Sequence, residues 1–475
     1  MGFFLAGRLG GTEWALRWIV GASLVFYGWW DARFVALLAG SIVANYAIGQ
    51  RILGLARARR DGVARRWLLI GVALDLGLLG WFKYAGFLAR AAAALAGLHA
   101  PGLEVALPLA ISFFTFQQIM FLADSARADR PDAGFGAYAA FIAFFPHLIA
   151  GPIVRPREII PQLTAHTLAR PRAEAVAEGL ETFLLGLAKK AVLADTFARF
   201  ADVGFDAAAR GAPLTLFEAW YALLAYGLQI YFDFSGYSDM AIGLARTLNV
   251  RFPINFDSPY QARDIAAFWR RWHITLGAFL REYVYFPLGG SRVGAGRRVV
   301  NVMATMLLCG LWHGAAWRFV AWGGLHGAFL AVHAAWRRSG RRLPGPLAHA
   351  LTLLCVLLAW VPFRAPDLGA SLAMLRGLSG LDGVALPRLV LGWLPWLGAV
   401  AAPVASLPSL GDARTLSFPE VSACLALGWG IVLLAPRLDA LSARARGLAV
   451  GASFAFSVQS VFFAPSVTPF LYFQF

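Results

Sequence analysis

Charge is scarce in this chain: Asp, Glu, Lys and Arg make up 14% of its 475 residues, against about 25% in an average soluble domain. With 59% hydrophobic residues and a mean hydropathy of +0.63, it carries more apolar surface than a water-soluble core of this length can hide. A soluble enzyme is thereby excluded, and a polytopic membrane protein is expected. Cysteine is equally sparse. Cys309, Cys355 and Cys424 lie in apolar segments without CxxC or Cys/His ligand spacing, so they read as small buried hydrophobes and do not report a redox compartment. Lysine occurs only at 83, 189 and 190, the other basic residues being arginine, a bias that reads as GC-rich bacterial coding. Several catalytic signatures are missing too. There is no Gly-x-Ser-x-Gly elbow, no P-loop and no His-Glu-x-x-His helix. No histidine has an aspartate five positions later, which argues against the soluble-type glycerol-phosphate acyltransferase signature.

What is present is basic: the net charge is +16 and the pI near 10.4. The arginines are scattered between apolar runs, so they read as cytoplasmic loop charges that fix orientation, and no nucleic-acid partner is expected. Residues 14–30 and 34–50 form the first two runs, followed by an arginine-dense loop over 51–66. Two passes before a cytoplasmic loop place the N-terminus in the cytoplasm. No small-residue cleavage site follows the first run, so a retained span is expected. Further runs cover 67–82, 86–98 (short for a span) and 103–123, then 347–361, 389–404, 421–434 and 448–463. At ~20 residues each, the total is roughly a dozen membrane segments. No soluble domain or linker interrupts them, and a single integral-membrane domain over 1–475 is expected.

Two histidines stand out. His313, between Trp312 and Gly314, lies in the nearly uncharged run 299–332, which is long enough for more than one pass. Ionisable groups in a bilayer face a cavity or a partner. Burial favours the neutral imidazole, which can accept a proton from an alcohol, and Gly314 would let a substrate approach the backbone. The alternative is a helix-packing histidine. His273 ends the arginine-rich stretch Phe268-Trp269-Arg270-Arg271-Trp272-His273. Taken as one helix over 263–286, Ile265, Phe268, Trp272, Leu276 and Phe279 share a stripe, with Arg270, Ile274 and Arg281 opposite and His273 at the edge. That pattern suits an amphipathic helix at the membrane interface, or a plain surface helix with an incidental histidine. Arg270 and Arg271 fit either anionic phosphates or lipid headgroups.

Two further stretches break the membrane pattern. Residues 144–152, with Pro146, His147, Gly151 and Pro152, suggest a broken or re-entrant helix, since irregular backbone at membrane depth must be buried in protein or line a wet cavity. His147 there is a cavity candidate or a structural residue. Residues 231–239 put Asp233 and Asp239 in an apolar run, at about 2.5–3.5 kcal/mol each on the insertion scale. A cation or proton site and a scaffold for catalytic groups are both open, the scaffold being preferred; no metal is expected. His326, thirteen residues after His313, falls on the far side of an uninterrupted helix and reads as packing.

The motifs, taken in order, resemble the membrane-bound O-acyltransferase superfamily, in its bacterial branch of alginate O-acetyltransferase membrane subunits and teichoic acid D-alanyl transfer proteins. The resemblance covers about 108–336 and rests on Ser112-Phe113-Phe114-Thr115-Phe116, Phe145-Pro146-His147 with Ala150-Gly151-Pro152, and 233–239. It continues through Phe252-Pro253-Ile254-Asn255-Phe256, 268–273 and Leu311-Trp312-His313-Gly314, with a terminal echo at 469–475. It implies an all-α fold in which a ring of tilted and re-entrant helices surrounds a central tunnel. It implies an essential histidine at His313 and a second signature histidine at His273. Trp269, Trp272, Trp312, Gly314, Arg270, Arg271, Asp233, Asp239, Asn255 and His147 are then expected around substrate or tunnel. The implied activity is transfer of an acyl group, best an acetyl, from a cytoplasmic thioester, acetyl-CoA or an acyl carrier, with no tightly bound cofactor. The acceptor would be a hydroxyl of an exported polysaccharide, or a periplasmic partner that completes the transfer, at the bacterial inner membrane and among its lipids. Two other readings share these residues: acylation of a lipid or protein, and a proton-coupled transporter using the aspartates and histidines as a relay.

Overall fold

The computed structural model describes residues 1–99, 102–103, 105–128, 133–387, 391–392, 402–404, 418–434, 442–463 and 470–471. These residues are overwhelmingly helical, the all-α architecture of a membrane protein. Three helical stretches, Arg33–Arg57, Asp61–Ala96 and Gly345–Arg364, are long and apolar enough to cross a bilayer. The chain divides into two compact units, 1–183 with 237–254, and 184–236 with 255–475.

The first unit opens with α1 (Gly2–Trp30), kinked at Gly10–Gly11, where Gly11 takes φ +70°. Then come α2 (Arg33–Arg57), α3 (Asp61–Leu79) and α4 (Ala85–Ala96). The arginine-dense segment is therefore mostly the ends of α2 and α3, because arginine is a good helix former and its head reaches solvent from a helix end. Similarly, 67–82 and 86–98 are not two segments. A π-helical turn at Gly80–Tyr84 joins α3 and α4 into one 36-residue helix.

Helix α5 (Ile111–Ala126) starts only after Pro108 and after Ala110, which is left-handed at φ 61°. It is buried almost throughout, Gln117 and Gln118 included. Gly49 of α2 and Gly71 of α3 admit it closely: a Cβ on them would lie 2.2 Å from Phe121 and 2.6 Å from Leu122. The expected break is present. Helix α6 (Phe135–Ala143) stops at Phe144, α7 (Phe145–Leu148) is a single turn, and α8 begins at Pro156 (Pro156–Leu163). This irregular backbone is buried in protein, as its depth demands.

Helix α9 (Ala173–Ala188) leads through a π turn, Lys189–Ala194, into α10 (Asp195–Ala209), and α11 (Leu216–Thr247) follows. In the second unit, 263–286 is not the one helix expected. It is α12 (Ile265–Arg271), a break at Trp272–His273, and α13 (Ile274–Leu280), continued by a π turn. The run 299–332 is two helices, α14 (Ala295–His313) and α15 (Trp317–Arg338), reversing immediately after His313. Their seam is glycine-lined: a Cβ on Gly310 would lie 2.1 Å from the Phe319 carbonyl oxygen, and one on Gly323 2.3 Å from that of Met306. Helices α16 (Gly345–Arg364), α17 (Leu368–Leu378), α18 (Phe418–Leu434) and α19 (Ala443–Phe463) complete the order. The only strands among the described residues are a parallel pair of three residues each, β1 (Ala385–Pro387) and β2 (Ala402–Val404). Apart from 391–392 and 402–404, the apolar run 389–404 lies outside the described residues, as does most of 469–475.

Candidate functional site

His273 occupies the break between α12 and α13. Its backbone is left-handed (φ 44°, ψ 54°), a conformation that costs a bulky residue roughly 1–3 kcal/mol and persists only when its surroundings enforce it. The enforcing residue is Asn255. Its carbonyl oxygen accepts from the Ile274 N–H at 3.0 Å, and its side-chain Oδ1 accepts from the Thr275 N–H at 3.3 Å and the Thr275 hydroxyl at 2.9 Å. The same Oδ1 faces His273 Nδ1 at 3.1 Å. A backbone N–H only donates, so the Asn255 atom facing it is the oxygen, and His273 Nδ1 must carry the hydrogen it shares with that oxygen. The neutral ring then keeps its lone pair at Nε2. The ring is wholly buried, edge-on to Phe234 at 4.6 Å and 6.0 Å from Trp312.

His313 is the last residue of α14 and is 5% exposed. Its ring contacts Trp312 at 4.8 Å, Trp322 at 5.0 Å and Phe363 at 5.1 Å. The indole of Trp312 thus touches both histidines, which residues forty positions apart reach only because each helix breaks beside its histidine. The space that a side chain at Gly314 would occupy is filled by the Phe319 ring, 2.0 Å from the ideal Cβ position, so tight packing accounts for this glycine. Three backbone donors at the two breaks are engaged. The Gly314 N–H bonds to the Gly310 carbonyl, and those of Ile274 and Thr275 to Asn255.

An aromatic wall surrounds the pair. Trp272 stacks on Phe268 and meets Trp360 at 4.9 Å. Trp269 donates its indole N–H to His326 Nδ1 at 3.3 Å and meets Trp322 at 5.8 Å. His326 is fully buried against Trp322 at 4.9 Å, so one indole bridges it to His313. On an uninterrupted helix His326 lies on the far side from His313; the chain reversal after His313 removes that separation. The spacing Trp322-x-x-x-His326, one turn on a single helix face, was the signal available.

The two arginines separate. Arg270 is exposed on a cavity of about 600 Å³, lined mainly by apolar residues such as Ile274, Met306 and Leu330. Its guanidinium has no hydrogen bond or ion pair among the described residues. Arg271 instead points to the Ser258 carbonyl at 3.4 Å. Asp233 is 2% exposed and bound to Lys190 at 3.0 Å, which also binds Asp195 at 2.6 Å. Close approach at this point depends on Gly236, where a Cβ would lie 2.7 Å from the Gly186 carbonyl oxygen. Asp239 belongs to the other compact unit, as does His147. There His147 meets the Gln117 side chain at 3.3 Å and stacks on Phe252 at 5.2 Å.

Residues 81–356, more than half of the chain, match the family described as MBOAT, membrane-bound O-acyltransferase family, a wider extent than the motifs alone marked. Among known proteins, the chain is 39% identical to the probable alginate O-acetylase AlgI of Azotobacter vinelandii, over 96% of this chain and 93% of that protein. It is 42% identical to the peptidoglycan O-acetyltransferase of Helicobacter pylori, over 78% and 75%. A teichoic acid D-alanyltransferase of Streptococcus thermophilus is 27% identical over 50% and 59%. An enzyme that transfers acyl groups to oxygen within the membrane is what these likenesses and the helical membrane fold establish together: the chain belongs to the membrane-bound O-acyltransferase family.

Proposed function

We propose that this enzyme takes an acetyl group from a cytoplasmic thioester and delivers it to a hydroxyl of an exported polysaccharide, or to a periplasmic partner that completes the transfer. The names of its relatives, which act on alginate or peptidoglycan, support the polysaccharide reading. The observation that carries the chemistry is the pair of buried histidines at two chain breaks, both against Trp312.

In this reading His313 is the general base. It takes the proton of the acceptor hydroxyl as the oxygen attacks the thioester carbonyl. The C–O bond forms, the C–S bond breaks, and the proton passes to the departing thiolate. Such base catalysis is typically worth about 10²–10⁴ in rate. His273, with Nδ1 committed to Asn255, offers Nε2 as an acceptor. It therefore orients the donor by receiving a hydrogen bond from an N–H or O–H, and does not polarise the carbonyl while neutral. Arg270, at the rim of its cavity, meets the anionic phosphates of an acetyl-CoA or carrier-protein arm. The whole chain acts as one integral-membrane domain in the bacterial inner membrane, with the N-terminus cytoplasmic.

The test is mass spectrometry of exported polysaccharide from strains carrying wild type or His313→Ala. The expected result is loss of acetyl esters from a polymer that is still exported. Equal acetyl content at equal chain levels refutes the assignment, and loss of export itself favours a transporter.

A further inference from the structure

Asp233 lies in the interior of α11 and is tied from two directions. Lys190 holds Oδ1 at 3.0 Å, and the Leu471 N–H donates to Oδ2 at 3.2 Å, across 238 positions of sequence. Leu471 and Phe470 are themselves buried, 3% and 5% exposed. The Phe470 ring stands 6.5 Å from Phe234, the residue after Asp233. Phe234 in turn meets His273 edge-on at 4.6 Å and 88°, and Phe256, the neighbour of Asn255, at 4.9 Å. Asn255 holds one edge of the His273 ring by its bond to Nδ1. Phe234 and Trp312 are the aromatic rings packed against it, and such contacts favour particular ring orientations.

We propose that the Phe470–Leu471 segment is a positioning element for His273. Asp233 fastens it through the Leu471 N–H, Phe470 backs Phe234, and Phe234 sets the plane of the imidazole. The geometry stands by itself; its consequence for acyl transfer rests on the part given to His273 above.

The experiment uses the full chain in membranes and diethyl pyrocarbonate as a probe of each histidine, with modification rates read by mass spectrometry. Exposed His99 and His166 serve as internal standards. Leu471→Pro removes the N–H, Leu471→Met keeps it, and Phe470→Ala removes the ring that backs Phe234. His273 should be modified about tenfold faster in Leu471→Pro, the equivalent of one lost hydrogen bond to a charged group, and faster than wild type in Phe470→Ala, which loses the ring contact with Phe234. Leu471→Met, His99 and His166 should match wild type. Acetyl transfer should fall in the same two variants. Wild-type modification of His273 in both overturns the proposal. So does an equal acceleration of every histidine in both, which would make the segment a general stability element. If His273 accelerates while acetylation is undiminished, the positioning stands and the role of His273 in transfer fails instead.

Discussion

Asn255→Ala removes the residue that holds His273 in place. Asn255 is 1% exposed, and its Oδ1 serves His273 Nδ1, the Thr275 N–H and the Thr275 hydroxyl. Alanine strands all three donors. The hydroxyl can turn toward another acceptor, but the backbone N–H and the ring N–H cannot. Each buried donor left unmade costs about 1–3 kcal/mol, so the variant should lose about 3 kcal/mol of stability. The functional loss should be larger than that figure suggests. His273 is held at φ 44°, and without the clamp the backbone can relax toward a continuous α12–α13 helix. Displacing the imidazole by about 1 Å costs on the order of 10²-fold in rate. Asn255→Asp keeps an acceptor at the same atom and should retain more activity than alanine. The assay is acetyl esters per repeat of exported polymer, normalised to chain present in the membrane. Wild-type acetylation by Asn255→Ala at wild-type chain level would refute the clamp and the orienting role together.

Gly310→Ala or Gly323→Ala should push α14 from α15 and lower stability by about 1–3 kcal/mol, read as a lower Tm of the detergent-extracted chain; an unchanged Tm contradicts the close seam. Lys190→Met leaves Asp233 a buried charge without its cation and should cost about 3–5 kcal/mol, seen as reduced folded chain and partly restored by adding Asp233→Asn. Arg270→Gln should raise the apparent KM for acetyl-CoA in membranes with little effect on Tm, whereas Arg271→Gln, which loses the bond to Ser258, should lower Tm first. The reverse pattern would move the anionic contact away from the cavity.

The apolar stripe Ile265, Phe268, Trp272, Leu276 and Phe279 is buried as the 100° periodicity requires, and Arg270 and Arg281 are exposed opposite it. Yet the helix that the periodicity implied is broken inside that stripe. Nothing between Trp272 and Ile274 announces it, for there is neither glycine nor proline. The break is imposed from outside, by an asparagine eighteen residues earlier. At His313 the opposite holds: Gly314 follows directly, and the reversal was legible as a run too long for one pass. The joining of 67–82 to 86–98 was hidden for a third reason. A π turn absorbs Lys83 within the helix, where its ammonium reaches the Ser112 hydroxyl at 3.2 Å, and period counting does not register such turns. Asp233 and Asp239 read as a pair because they are close in sequence, but the compact units divide between Gly236 and Tyr237. Backbone proximity along one helix says little about which body each side chain serves.

The placement of both histidines at helix breaks follows from what lipid permits. Within a regular helix every backbone group is spent on its own turn, and a side chain can only point outward from the cylinder. Ending the helix at His313, or forcing His273 left-handed, turns the imidazole into the protein interior, but it releases polar groups that a bilayer cannot hydrate. At the His273 break Asn255 takes up the N–H groups of Ile274 and Thr275, and at the other the Gly314 N–H still closes the last turn on the Gly310 carbonyl. Asp233 is likewise committed, to Lys190 and to the Leu471 N–H. A relay carboxylate must exchange partners as a proton passes; one fastened on both oxygens serves better as an anchor. In the proposed mechanism the proton therefore goes to the imidazole of His313, packed among Trp312, Trp322 and Phe363.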